Sequence, residues 1–293
     1  MLELGEVITA MITPFNSDFE IDWRSLDNLL VFLVENGSDS LLLAGTTGES
    51  PTLTDEEKIE LFKFAVKKFN KKVKIIAGTG SNDTKHTIYL SKNAQEVGVD
   101  ALLLVAPYYN KPTQFGILKH FEEIANSVEI PIIVYNVPSR TGCNISSKTC
   151  VELSKIRNIA GIKEASSDMR QVAEILRDCP KEFLVYSGND GDTFPIVAMG
   201  GTGVISVASH IIGKEIKEMI YYLKNLEINK AADIHKKFLD IFYGIFITTN
   251  PIPIKKALEL KGLDSGFLRP PLCKMESREE DLFKQILMKY EII

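Results

Sequence analysis

Eight short apolar runs, rich in β-branched residues, recur along the first 208 residues, and an amphipathic segment follows each. They are "EVITAMIT" (6–13), "SLLLAG" (40–45), "VKIIAGT" (73–79), "ALLLVAP" (101–107), "PIIVYNV" (131–137), "IAGIKEA" (159–165), "FLVYSG" (183–188) and "GVISVA" (203–208). Their near-continuous apolarity suits parallel strands covered on both faces. The segments between them read as helices. "TDEEKIELFKFAVKKF" (54–69) opens on a threonine cap, carries acids early and ends basic, and "DTKHTIYLSKNAQEV" (83–97) is a second example. Eight β–α repeats predict an α/β chain closed as a (β/α)8 TIM barrel rather than an open doubly wound sheet.

From about residue 212 onward no further strand pattern appears. "GKEIKEMIYYLKNLEINKAADIHKKFLDIFYGIF", "PIPIKKALELKG" and "SREEDLFKQILMKYEII" predict a C-terminal helical extension, with the barrel over 1–227 and the helical region over 228–293. "NPIP" (250–253) predicts Asn250 as a helix cap with Pro251 in the first turn. A formal net charge of −5 leaves no basic stripe to neutralise phosphates, which argues against a nucleic-acid partner. "KKFNKKVK" (67–74), the densest basic run, reads as a solvated helix end. Cys143, Cys150, Cys179 and Cys273 have no metal-type spacing and suit reduced thiols. "MLELGEVITAMITPF" starts acidic, without a signal core, and no run approaches the ~20 apolar residues of a membrane span. The expectation is a cytoplasmic protein with no membrane partner.

In such barrels chemistry gathers where strands end and βα loops begin. Lys163 falls there, in "NIAGIKEASSD" (158–168), as the charged end of an otherwise apolar strand. A buried ammonium must reach water, find a partner or lose its proton. A lysine of depressed pKa is a nucleophile for carbonyl carbon, giving an imine that serves as an electron sink. Tyr135, one β–α unit upstream, suits an adjacent strand and a proton shuttle, with Thr46 or Thr47 hydrogen-bonded to it. "GTTGES" (45–50) offers N–H groups for a small carboxylate, and Arg140 a fork for a second one. "MGGTGVIS" (199–206) resembles a phosphate loop but enters a strand, so nucleotide binding is not expected. His86, His120, His210 and His235 are scattered, and no metal is expected.

"GTTGES", "PYYNKPTQ", "YNVPSRTG", "GIKEAS" and "NPIPIK" together resemble the dihydrodipicolinate synthases, pyruvate-dependent class I enzymes of the N-acetylneuraminate lyase family. The resemblance runs essentially end to end. It implies that Lys163 forms a Schiff base with pyruvate, that Tyr135 moves protons, and that Thr46 links it to Tyr109, which reaches in from a neighbouring subunit. It further implies that Thr47 and the main chain at Ile205 hold pyruvate and that Arg140 engages the carboxylate of L-aspartate 4-semialdehyde. No organic cofactor is implied, and the partner is a second copy of the chain, in a dimer or a dimer of dimers. The alternatives are an aldolase of the same family acting on 2-keto-3-deoxy sugar acids or N-acetylneuraminate, and a non-catalytic keto-acid sensor.

Lysine-inhibited members of that family hold lysine in a cleft at the dimer interface, whose positions here correspond to Ser50, Asn82, His86 and Tyr108. His86 replaces an acid that grips the ligand's ammonium, and two histidine positions become Asp55 and Lys58. An attraction is lost and a cation gained, so weak or absent inhibition by lysine is expected. Two orientations stay open: Asp55 inward, or Lys58 extended into solvent.

Overall fold

The computed structural model describes residues 3–293; the first two residues of the opening stretch lie outside it. Eight strands form a closed parallel barrel in chain order. They are β1 (Val7–Ala10), β2 (Ser40–Leu43), β3 (Lys74–Gly78), β4 (Ala101–Val105), β5 (Ile132–Asn136), β6 (Ile159–Glu164), β7 (Leu184–Ser187) and β8 (Gly203–Ser206). β8 closes on β1 through Val7–Val204, Ile8–Ile205 and Thr9–Ser206. Closure leaves no sheet edge.

Helices α1 (Trp23–Glu35), α2 (Asp55–Phe69), α3 (Thr84–Val97) and α4 (Gln114–Ala125) follow the first four strands. After β5 a single turn, α5 (Pro138–Thr141), precedes α6 (Ser147–Leu153). The last three strands are followed by α7 (Met169–Asp178), α8 (Thr193–Ala198) and α9 (Ser209–Lys224). The C-terminal helices are α10 (Ile228–Lys237), α11 (Leu239–Gly244), α12 (Ile252–Leu260) and α13 (Ser277–Lys289).

The capping signal at Thr54 works as its sequence suggests. The Glu57 N–H donates to its hydroxyl, and the Glu57 carboxylate accepts from the Thr54 N–H at 2.9 Å. The strands are shorter than the apolar runs that announced them. Met11, Ile12, Ala44, Ala106 and Val137 lie beyond strand ends yet remain buried. Apolar patterning records burial, and the mouth of the barrel is lined by buried loop residues as well as strand residues.

Two apolar clusters divide the interior. Ile8, Ala10, Leu42, Ile76, Leu103, Ile133, Tyr135, Tyr186 and Ile205 fill the inside of the barrel. The larger cluster lies between strands and helices and runs on into Phe238, Ile241, Phe242, Phe283 and Leu287, so the C-terminal helices share the barrel's core.

Asn250 corrects the reading of "NPIP". Pro251 occupies the cap position of α12, no side chain caps that helix, and the Asn250 amide is turned to another partner.

Candidate active site

Strand alternation settles which way Lys163 faces. On β5, Ile133 and Tyr135 point into the barrel while Ile132 and Val134 point out to the helices. Tyr135 and Lys163 are register partners across β5 and β6, so both turn inward at the C-terminal mouth. Lys163 is 5% exposed and Tyr135 6%. The lysine Nζ lies 4.5 Å from the centre of the Tyr135 ring.

Burial lowers the Lys163 pKa to about 8; the Asp190 charge opposes that shift, and Arg140 adds to it. Burial likewise raises the Tyr135 phenol, partly offset by the Arg140 charge and by a hydrogen bond with Thr46. A lysine with a minor but appreciable free-amine fraction and a protonated phenol are therefore held face to face near neutral pH.

The pair opens into a cavity of about 520 Å³ lined also by Thr46, Thr47, Arg140, Asp190 and Asn250. Phe242 and Tyr243 on α11, with Phe246 just beyond it, form part of its wall, so the helical region completes what the barrel begins. Gly188 leaves needed space: a Cβ there would come within 2.6 Å of the Ala165 Cβ. Arg140, on α5, is exposed and makes no ion pair among the described residues, leaving its fork free for an anion.

Thr46, Thr47, Tyr135, Arg140 and Lys163 are thus brought together. Ile205 is not at the cavity: its side chain is buried within the barrel on β8. Tyr109 stands apart too. It is 89% exposed, with a positive φ of 70°, and lines neither this cavity nor its neighbour.

That neighbouring cavity, about 670 Å³, is lined by Ser50, Asn82, His86 and Tyr108 together with Asp55 and Lys58. Both orientations left open by the sequence are settled. Asp55 points inward and accepts from His86 Nε2 at 2.8 Å. Lys58 is buried rather than extended into solvent, with Nζ 4.0 Å from Asp55, and burial lowers its pKa against the pull of Asp55 and Glu57. The two cavities share Thr46, Tyr135, Val137 and Arg140 as a common wall.

Sequence reasoning passed over two parts of the site. Asp190 is buried beside the lysine; Ser206 Oγ donates to it, as do the Val207 and Ala208 N–H groups at 3.1 Å. Burial raises its pKa against those three donors. Its signal was available, because "GNDGD" (188–192) follows strand seven as "GTTGES" follows strand two. The second part is Glu49 of the GTTGES loop, whose carboxylate lies 2.6 Å from Lys255 Nζ and accepts from the Arg269 N–H at 3.0 Å. No local pattern links residues 49, 255 and 269. Among the described residues, no group of three or more His, Cys, Asp and Glu is placed to hold a metal ion.

A (β/α)8 barrel with a buried, partly deprotonated lysine at its catalytic mouth defines a carbonyl-directed enzyme of the lyase class. Comparison narrows the class. The sequence profile of the dihydrodipicolinate synthetase family matches residues 3–290, and the chain belongs to that family. A 4-hydroxy-tetrahydrodipicolinate synthase of Bacillus velezensis is 50% identical over 278 residues, 95% of this chain and 96% of that protein. The crystal structure of a dihydrodipicolinate synthase from Bacillus anthracis superposes with a TM-score of 0.96 at 44% identity, covering 98% of this chain and 99% of that one. The enzyme from Cyanidioschyzon merolae, solved with lysine bound, gives 0.97 at 42% identity, covering 99% of both chains.

Proposed function

We propose that this lyase condenses pyruvate with L-aspartate 4-semialdehyde, giving 4-hydroxy-tetrahydrodipicolinate. The observation that carries the reading is the Lys163–Tyr135 pair, in register on β5 and β6 with the amine pKa brought down to about 8. The names of the full-length relatives favour this reaction over sugar-acid cleavage and over a silent sensor.

Lys163 Nζ adds to the keto carbon of pyruvate, and loss of water leaves a protonated imine. A methyl proton then departs, and the resulting enamine carbon bonds to the aldehyde carbon of the semialdehyde, whose oxygen takes up a proton. The amino group of the new chain adds to the imine carbon, closes the ring and expels Lys163. Tyr135 is positioned to carry these protons, with Thr46 as its hydrogen-bond partner. Thr47 holds the pyruvate carboxylate, and Arg140 the carboxylate of the second substrate.

Tyr109 serves a neighbouring subunit rather than its own, which its exposure supports. The working form in this reading is a dimer or a dimer of dimers in the cytoplasm, where the four free cysteines stay reduced. The second cavity is a ligand cleft, in which Asp55 is already engaged by His86 and Lys58 is buried nearby. The chemistry is tested by borohydride reduction in the presence of pyruvate, followed by peptide mass mapping. The expected product is a reduced adduct on Lys163; an unmodified Lys163 peptide refutes the imine.

A further inference from the structure

The Thr47 hydroxyl does not stand alone in the cavity wall. Asn250 Nδ2 donates to Thr47 Oγ1 at 2.9 Å, joining the loop after β2 to the segment before α12. Both residues are buried and both line the cavity of Lys163. Asn250 has no duty in the helix beside it, because Pro251 holds the cap position and no side chain caps α12. The other end of its amide, Oδ1, is buried without a partner in the chain. An orphaned buried amide oxygen is uncommon and calls for an explanation other than helix capping.

A hydroxyl carries one proton and two acceptor lone pairs, whereas an ionised carboxylate only accepts. Left to itself, Thr47 could as well present a lone pair to an incoming carboxylate, which repels it. The Asn250 donor occupies a lone pair, so the proton must point elsewhere. We infer that Asn250 is a positioning residue that sets the Thr47 hydroxyl as a donor into the cavity, ready for the carboxylate of a 2-oxo acid. This rests on the reading above in which Thr47 holds pyruvate. It adds that the binding group is preset by a residue from beyond the barrel, before substrate arrives.

A double-mutant cycle tests the coupling. Asn250→Ala frees the hydroxyl to rotate and should raise KM for pyruvate about tenfold, with kcat changed less than about twofold. Thr47→Val should raise KM at least as much, and adding Asn250→Ala to it should change nothing further. Asn250→Asp, nearly isosteric, decides the direction of the bond and serves if Asn250→Ala does not fold. Its ionised carboxylate accepts from Thr47 and turns the proton away. KM relative to the parent enzyme should therefore be raised at pH 8 and recover as pH falls and the carboxyl takes up a proton. Additive effects in the double variant, or parental KM in both Asn250 variants beside a raised KM in Thr47→Val, overturn the inference alone. A parental KM in Thr47→Val overturns the carboxylate role of Thr47 and the inference with it.

Discussion

Lys163 illustrates how burial becomes reactivity. An ordinary lysine, near pKa 10.4, is less than about one part in a thousand free amine at pH 7. With its pKa lowered to about 8, roughly a tenth of Lys163 is free at that pH. The proportion climbs as pH rises through 8 and falls about tenfold for each unit below 7. Imine formation with pyruvate alone, trapped by cyanoborohydride, should follow that curve. The two charged neighbours should move it in opposite directions. Arg140→Ala removes a cation that disfavours the ammonium, so the limb should shift to higher pH. Asp190→Asn removes an anion that favours it, so the limb should shift to lower pH. Shifts of the same sign, or none, would mean that these charges do not set the amine. Because no semialdehyde is present, any role of Arg140 toward a second carboxylate stays out of the measurement.

Among the elements, the GTTGES loop depends on contacts far along the chain. Glu49 adopts a left-handed φ of 55°, is buried, and is held by Lys255 on α12 and by the Arg269 main chain. Lys255 Nζ also lies over the Phe15 ring, 4.5 Å from its centre. Removing one partner of a buried pair strands the other charge, so Lys255→Met should cost about 3–5 kcal/mol of unfolding free energy in denaturant titration. The double change Glu49→Leu with Lys255→Met should recover much of it. A single variant within about 0.5 kcal/mol of the parent would show the pair to be dispensable.

This loop also marks what sequence reading reaches. Strand count, barrel closure, Lys163, Tyr135 and the threonines were legible because each rests on local periodicity plus position at a strand end. Asn250 was misread because "NPIP" is a strong local cap signal, and a hydrogen bond to Thr47 across 203 residues leaves no local trace. The fate of Lys58 was open for a related reason. Whether a lysine near a helix start snorkels or tucks under depends on what packs over it.

For the molecule as a whole, two expectations concern assembly and regulation. Tyr109 is 89% exposed and outside its own cavity, and in the proposed reading it meets a proton relay only in a second copy. Sedimentation and assay at matched concentrations should find activity only in the oligomer, and a fully active monomer would refute the shared relay. The second cavity should hold L-lysine poorly. Asp55, an anion able to grip an ammonium there, is taken up by His86, and Lys58 adds positive charge beside it. Like charges ~4 Å apart near a surface repel by a few kcal/mol before relaxation and salt reduce it. Initial rates with both substrates near their KM should change little on adding lysine, and His86→Glu should increase sensitivity. Submillimolar inhibition of the parent enzyme would defeat the charge argument.

The ties from Glu49 to Lys255 and Arg269, and from Thr47 to Asn250, also bear on vectorial synthesis. A nascent chain that has emerged from the ribosome only through β8 already holds Lys163, Tyr135 and both threonines. It still lacks the anchors of the GTTGES loop, the α11 wall of the cavity and the donor to Thr47. At ~5–20 residues per second, the stretch from residue 206 to 269 takes several seconds to emerge. The electrophile trap thus comes into working order only near the end of translation, and a prematurely terminated chain carries the lysine without the site.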